Sequence, residues 1–284
     1  MDSFADISKK SFHTRSNSLP LRPHPVVDDV DEHLCRLKAS AATSSSSSLS
    51  QKLGKVQDLH DSIDNLLLLP LTHQAVVDND SVDDLLEGSL ELVDLCSMAK
   101  DVLSQMKECT HELQFVLRRR RGDDITNDVQ KYLNSRKIMK KTIHKALKGM
   151  EKSSSKTSDE SSDIVTLLKQ AEAITYSTIE SLLSFMAGPK SVSKASRWSM
   201  VSKLMQPKRV ACKEEGSNTN LVEMVDATLS SIKSHKSNVL LQVEDVQNLV
   251  RELNSSVDEL EDDLERLYRR LIKNRVSFLN ILNH

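Results

Sequence analysis

A short segment near the start of the chain has the spacing of a kinase substrate and of a phosphopeptide ligand. Arg15 lies three residues before Ser18, and Pro20 lies two residues after it. A phosphate on Ser18 would add about two negative charges, and the arrangement matches the R-S-x-S-x-P form that 14-3-3 proteins bind. The sequence therefore predicts a phospho-dependent docking site made of Arg15, Ser16, Ser18 and Pro20. The alternative is a proline-rich lead-in whose leucines pack on the rest of the protein.

Two segments carry opposite local charge, although the formal net charge of the chain is only −2. Residues 118 to 148 contain eleven Lys or Arg and three acids, whereas residues 244 to 265 contain nine acids and one Arg. The two segments could neutralise one another across a helical bundle, or they could bind separate partners. The candidate basic surface consists of Arg118, Arg119, Arg120, Arg121, Lys137, Lys140, Lys141, Lys145 and Lys148.

Several kinds of partner fit the basic segment. Its lysines share a predicted helix with Ile138 and Ile143, which suits an anionic lipid surface or a calmodulin-like protein. Nucleic acid fits least well, because no aromatic residues alternate with the cations. Part of the cluster at residues 118 to 121 needs no partner, since cations in the last turn of a helix complement its exposed carbonyls.

A second basic amphipathic segment surrounds the single tryptophan. A short helix is predicted over about residues 192 to 205, and its candidate binding residues are Lys194, Arg197, Trp198, Lys203 and Leu204. A basic helix that carries a tryptophan suits a membrane surface or capture in a groove of another protein. The alternative is that the tryptophan packs in the core.

Motifs for catalysis, cofactor binding and metal binding are missing from the sequence. There is no glycine-rich phosphate loop, no H-E-x-x-H and no G-x-S-x-G. The four cysteines form no C-x-x-C pair. His60 with Asp64, and His33 with Cys35, lack the three or four converging ligands that a metal needs, and we interpret them as surface or capping residues. We expect no enzyme activity, no cofactor and no metal.

Composition favours helices and a location inside the cell. Glycine and proline number six each, and aromatic residues make up 3% of the chain. No unbroken apolar run approaches the length of a membrane-spanning helix, and no signal-peptide pattern occurs at the start. We therefore expect a cytoplasmic protein that is not secreted, with a membrane-peripheral or nuclear location as the alternatives.

The strongest pattern in the chain is a heptad stripe from Val222 to Ile281. Apolar residues recur at steps of three and four, which predicts a long core-forming helix that other helices must cover. Only Lys236 and Asn274 interrupt it. The stripe is made of Val222, Val225, Leu229, Ile232, Val239, Val243, Val246, Val250, Leu253, Val257, Leu260, Leu264, Leu267, Leu271, Phe278 and Ile281.

Further periodic segments complete an all-α fold of about six helices without strands. We predict helices over about residues 26–38, 48–69, 82–121, 125–148 and 164–186, before the C-terminal helix. The predicted architecture is an elongated antiparallel helical bundle that forms one domain over residues 26–284. Residues 1–25 form a disordered or extended tail, and flexible joints lie at about 40–47, 150–160 and 206–218.

The partner of the C-terminal stripe remains open at the level of sequence. Valine at four of the nine a positions and leucine at several d positions would suit a parallel homodimer. The predicted helix over residues 82–121 could cover the same stripe within one chain, and its small residues Ser89, Cys96 and Ala99 would permit a close approach. Protein partners are expected in either case.

Several short motifs are spread over nearly the whole chain. They are Phe12 to Pro20 with Arg22 to Pro25, Glu32 to Leu37, Leu66 to Thr72, Leu85 to Leu90, Arg118 to Gly122, Val129 to Leu133, Tyr268 to Lys273, Arg275 to Ser277 and Asn280 to His284. Together these motifs resemble a plant family known as domain of unknown function 241, or BYPASS-related. The resemblance implies a plant, non-enzymatic, helical protein associated with root and shoot development, and it brings no catalytic residues.

Overall fold

The computed structural model describes residues 24–39, 46–77, 82–119, 125–153, 163–188, 220–234 and 239–283, and within these ranges every regular element is a helix. The all-α prediction is confirmed. In chain order the helices are α1 (Pro25–Ala39), α2 (Ser46–Leu67), α3 (Pro70–Val77), α4 (Val82–Arg119), α5 (Ile125–Ser153), α6 (Asp163–Ala187), α7 (Leu221–Ser234) and α8 (Val239–Leu282).

The heptad stripe is buried as predicted, except that Val243 is half-buried and the side chain of Val239 lies outside the described residues. Val250, Leu253, Val257, Leu264 and Leu267 have no exposed side-chain surface. The stripe of α8 packs mainly against α4 and α2 of the same chain, so its burial does not require a second copy. At about 1.5 Å per residue, the 44 residues of α8 span about 66 Å, which gives the bundle an elongated central helix.

The prediction of one helix from Val222 to Ile281 is wrong at a single point. Helix α7 ends at Ser234, helix α8 begins at Val239, and the two pack against each other. Two consecutive pieces of one straight helix could not make such contacts, so α7 and α8 are not collinear. The heptad phase of the sequence is the same before and after residues 235–238, and periodicity alone therefore could not reveal that there are two helices.

Side-chain contacts define the direction of each neighbour of α8. Towards the start of α8, Gln247 donates to the carbonyl of Leu117, near the end of α4. Farther along α8, Arg275 donates to the carbonyl of Leu86, near the start of α4. Helices α4 and α8 are therefore antiparallel. Along α2 and α8, residue numbers in contact increase in the same direction: Ser50 bonds Asp263, and Asp64 bonds Ser277. Helices α2 and α8 are therefore parallel.

Small residues on α4 allow α8 to approach closely, as the stripe predicted. Cys96 and Ala99 are fully buried, and the Cys96 thiol lies 3.8 Å from the carbonyl oxygen of Leu264. Burial raises the pKa of the Cys96 thiol to about 12. The thiol is therefore a small packing group in this helix pair, and it stays protonated at neutral pH.

Two helix ends follow local signals in the sequence. Helix α2 ends at Leu67, and Pro70 occupies the first position of α3, where a missing N–H costs nothing. Leu66 and Leu67 at the end of α2 are buried, whereas Leu68 is 68% exposed. Helix α6 ends at Ala187, and the next residue, Gly188, has a φ of 70°, the left-handed conformation that glycine adopts most easily.

Asn220 joins the end of α6 to the start of α7. Its Nδ2 donates to the carbonyl of Phe185 at 2.6 Å, and its Oδ1 accepts from the N–H of Val222 at 2.9 Å. An asparagine at this position satisfies a free N–H in the first turn of a helix. The same side chain therefore begins α7 and fixes it against α6.

Candidate functional site

The basic residues of α5 divide between two sides of the helix. Lys137, Lys141, Lys145 and Lys148 are exposed, and their spacing of four, four and three residues places them on one face. Within the described residues none of these four forms an ion pair. We call these four residues the α5 lysine face. Ile138 lies beside it and is 60% exposed.

The inward side of α5 carries a buried ion pair. The Nε of Arg136 lies 3.2 Å from Oδ1 of Asp226 on α7, and its Nη2 donates to the carbonyl of Met186 at 2.8 Å. Arg136 is 1% exposed. Lys140 also pairs with Asp226, at 3.0 Å, so it is not counted in the α5 lysine face. Burial, followed by the negative charge of Asp226, raises the pKa of Tyr132.

The arginine cluster is only partly within the described residues. Arg118 and Arg119 are exposed in the last turn of α4, where cations complement the free carbonyls. The guanidinium of Arg119 lies 5.5 Å from the ring centre of Phe115, which is 60% exposed. Arg120 and Arg121 lie outside the described residues.

The acidic segment of α8 pairs with α4. Lys107 of α4 lies 2.9 Å from Asp258 and 2.7 Å from Glu261, while Lys100 pairs with Glu265. The main packing partners of the basic helix α5 are α4, α6 and α7. Within the described residues, no lysine or arginine of residues 118–148 forms an ion pair with an acid of residues 244–265.

A buried polar network crosses the centre of the bundle. The Nε2 of His60 lies 2.9 Å from Oγ1 of Thr175, and Nδ2 of Asn274 lies 2.8 Å from Nδ1 of His60. Thr175 donates its own hydrogen to the carbonyl of Ala171, so its oxygen accepts from His60. The imidazole is therefore neutral, with its hydrogen on Nε2, and burial lowers the pKa of His60 to about 4.

The interpretation of His60 and Asp64 as surface or capping residues is wrong. Their exposures are 4% and 9%, and Asp64 pairs with Lys273 at 2.7 Å. Asn274, which interrupts the heptad stripe, is buried beside His60. Asn274 is a polar residue within the apolar heptad stripe, and this position indicated that a polar partner would be buried beside it. Nothing in the sequence identified His60 as that partner.

A recess lies beside this network, between α2, α4, α6 and α8. Its empty volume is about 420 Å³, including the part that is open to solvent. Its polar lining consists of His60, Ser89, Glu172 and Asn274, and its apolar lining is Ile63, Leu85, Leu92, Leu168, Ala171, Leu271 and Phe278. No pattern in the sequence predicts this site, because Glu172 and Ser89 belong to helices that are far apart in the chain.

The carboxyl group of Glu172 lies against Gly88, where the missing side chain leaves room for it. A Cβ atom at residue 88 would collide with this carboxyl group. Burial raises the pKa of Glu172 to about 7, and the negative charges of Glu91 and Asp84 add to the effect, while Lys169 opposes it. Glycine on α4 thus permits an acidic side chain at the edge of the recess.

Some of the predicted binding residues lie outside the described part of the chain. They are the phospho-docking residues Arg15, Ser16, Ser18 and Pro20, and the amphipathic residues Lys194, Arg197, Trp198, Lys203 and Leu204. Among the residues that are described, no cluster of three or more His, Cys, Asp or Glu could hold a metal ion. No helix within the same residues has the length and apolarity to cross a membrane.

The comparisons with known proteins give one match. Residues 52–281 match the family whose description is Protein BPS1. The match includes α3 to α8 and most of α2, and it therefore contains the α5 lysine face, the buried network and the recess. No curated protein and no solved structure shows a significant match.

Proposed function

The chain belongs to the Protein BPS1 family, and on that premise we propose that it is a non-enzymatic plant regulatory protein of root and shoot development that works by binding other molecules. The family match and the BYPASS-related motifs support the developmental role. The helical bundle supports a binding role, because its charged groups are arranged as surfaces and its buried polar groups hold helices together.

The α5 lysine face is the observation that carries this proposal. Its four cations share one side of a helix, and within the described residues they have no acidic partner. The acids of α8 differ, because Lys100 and Lys107 already pair with them. An uncompensated row of cations attracts an anionic partner and speeds its association. The proposed partner surface is therefore acidic.

A peripheral-membrane role is the second candidate, and Ile138 favours it. This apolar side chain is 60% exposed beside the lysine face. Lysines near anionic headgroups contribute about 1 kcal/mol each, and an adjacent apolar side chain can enter the headgroup region. The acidic groove of a calmodulin-like protein would satisfy the same residues.

One set of variants tests the lysine face. The test variant changes Lys137, Lys141, Lys145 and Lys148 to Gln. The matched control changes four cations of α8 to Gln. These cations already pair with acids, and they are Arg266, Arg269, Arg270 and Lys273. Both variants lose four positive charges. Proximity labelling in plant cells should lose neighbours only in the α5 variant, and unchanged neighbours would reject the lysine face as a binding surface.

Vesicle flotation separates the two candidates. Vesicles with and without phosphatidylserine would be tested at low and high salt. Flotation that requires anionic lipid, falls with salt and is lost in the α5 variant supports the membrane role. Absence of flotation, together with a loss of protein neighbours in the α5 variant, supports an acidic protein partner.

The N-terminal motif is proposed as a separate docking site for a 14-3-3 protein. The support is the spacing of Arg15, Ser18 and Pro20 alone. Proximity labelling of a Ser18→Ala variant should lose 14-3-3 neighbours while it retains those that depend on α5. A synthetic peptide phosphorylated at Ser18 that does not bind a 14-3-3 protein would reject this part of the proposal.

A further inference from the structure

An apolar strip on α8 is exposed beside α4. Ile272, Val276 and Leu279 are 39%, 49% and 39% exposed, and their spacing of four and three residues places them on one side of the helix. Arg275, which falls between them in the sequence, donates to the carbonyl of Leu86 on α4. The strip therefore borders α4, and it is separate from the heptad stripe that α4 and α2 cover within the chain.

Helix α4 continues this apolar surface. Leu90 is 43% exposed, and Leu86 and Val93 are partly buried. Their spacing of four and three residues puts the three side chains on one side of α4, and the bond from Arg275 to Leu86 places that side next to α8. We call this surface the outer patch, and its residues are Leu86, Leu90, Val93, Ile272, Val276 and Leu279. A contiguous exposed apolar patch with a polar rim is typical of an interaction site.

The two edges of the outer patch carry opposite charge. On the α4 edge, Glu87 and Asp94 are exposed, and within the described residues neither forms an ion pair. On the α8 edge, the side chains of Arg269 and Lys273 are 74% and 61% exposed, although each already has one acidic partner in the same chain. A partner surface with the same two edges in the opposite order would match this charge pattern.

The acidic and basic edges also lie at the same height along the bundle. Lys100 of α4 pairs with Glu265 of α8. Because the two helices are antiparallel, residues that precede Lys100 on α4 lie beside residues that follow Glu265 on α8. Asp94 and Arg269 are displaced from that pair in these two directions, so they are about level on opposite edges of the outer patch.

Two twofold arrangements would stack the outer patch of one copy on that of another. An axis that runs across the helices places α4 on α4 and α8 on α8, so edges of like charge meet. An axis that runs along the helices places α4 of one copy on α8 of the other, so each acidic edge meets a basic edge. Charge complementarity therefore selects the second arrangement, and its symmetry forms every contact twice.

We propose that a second copy of this chain covers the outer patch in this twofold dimer. Leu90 of each copy packs against Val276 of the other, and Asp94 of each copy pairs with Arg269 of the other. None of these residues belongs to the α5 lysine face, so the inference does not depend on the proposed function. The dimer leaves the heptad stripe covered as it is within each chain.

Sedimentation velocity on the purified full chain tests the dimer. Over about 1 to about 200 µM protein, the mean sedimentation coefficient should rise from the value of a monomer towards that of a dimer. Val276→Asp should weaken this association at least about tenfold, because it places a charge in the apolar contact. Leu90→Asp makes the same test from α4.

Phe115→Asp is the matched control for the apolar variants. Phe115 is an apolar residue of α4 that is 60% exposed, and it lies about 33 Å along the helix from Val93. This variant should associate like the unchanged chain. Circular dichroism would establish that each variant retains its helices.

A charge exchange tests the pairing of the two edges. Asp94→Lys and Arg269→Glu should each weaken association at least about fivefold, because like charges then meet at both symmetric contacts. In a mixed dimer with one copy of each variant, both contacts again join opposite charges. An equimolar mixture should therefore contain more dimer than either variant alone at the same total concentration.

Three results would overturn this inference. The first is an unchanged chain that remains monomeric over the whole concentration range. The second is association that a folded Val276→Asp or Leu90→Asp variant leaves unchanged, which would locate the contact elsewhere. The third is a mixture of the two charge variants that associates no better than its components. The concentration series uses the unchanged chain, so it remains decisive even if a variant does not fold.

Discussion

Asn274 of α8 donates a hydrogen bond to His60 of α2 over 2.8 Å, and this bond joins the polar break in the heptad stripe to a buried neutral imidazole. The other side of the ring bonds Thr175 of α6. One histidine thus connects three helices. Protonation of His60 would place an uncompensated charge among them, which is why burial lowers its pKa to about 4.

The first prediction concerns stability against pH. The pKa of His60 is about 6.5 when the chain is unfolded and about 4 when it is folded, so the unfolded chain binds a proton more readily. The free energy of unfolding should therefore be at its full value above about pH 6.5. It should fall by on the order of 3 kcal/mol as the pH drops to about 4.

Urea denaturation between pH 4 and pH 8 measures this effect. The slope between pH 4 and 6.5 should be clearly shallower in a His60→Asn variant. His111→Asn is the control, because His111 is exposed on α4, and its slope should match that of the unchanged chain. Equal slopes in all three proteins would contradict the neutral buried histidine.

The second prediction concerns the bond between His60 and Asn274. Changing Asn274 to Leu leaves the Nδ1 acceptor of His60 buried without a donor, which should cost about 1 to 3 kcal/mol. In the double variant His60→Leu with Asn274→Leu, the loss of unfolding free energy should be smaller than the sum of the losses in the two single variants. The reason is that the double variant leaves no buried polar group of this pair without its partner. Additive losses in a denaturation cycle would show that the two residues do not interact.

The third prediction concerns the buried pair of Arg136 and Asp226. Arg136→Met should lower the free energy of unfolding by about 3 kcal/mol, because it removes the main partner of a largely buried carboxylate. Lys137→Met on the exposed side of the same helix should change it by less than about 0.5 kcal/mol. Urea denaturation, monitored by circular dichroism, measures the free energy of unfolding of both variants. Similar small losses of this free energy in Arg136→Met and Lys137→Met would be inconsistent with a buried ion pair.

The fourth prediction concerns the pairs between α4 and α8. Hydrogen bonds to Glu261 and Asp258 raise the pKa of Lys107, but its side chain is 37% exposed. Solvent screens such pairs, so Lys107→Met should cost less than about 1 kcal/mol. Raising NaCl to about 0.5 M should reduce that difference further. A loss above about 2 kcal/mol, or one that salt leaves unchanged, would require a role for Lys107 beyond ion pairing.

The sequence determined which face of each helix is buried, because hydrophobic periodicity is a local property that one chain segment carries by itself. The stripe through Val250, Leu253 and Val257 is one example, and the exposed spacing of Lys137, Lys141 and their neighbours is another. Helix ends at Pro70 and Gly188 also follow local chemistry, since proline lacks an N–H and glycine tolerates positive φ.

Only the tertiary structure decided which faces meet. His60 and Asn274 are 214 positions apart, and Arg136 and Asp226 are 90 apart, so their pairing depends on how distant helices pack. Helices α7 and α8 pack against each other although the heptad phase of the sequence does not change between them, and the recess forms only where four helices converge near Gly88 and Glu172. Periodicity fixes the side that a helix buries, but the choice of partner is a property of the whole bundle.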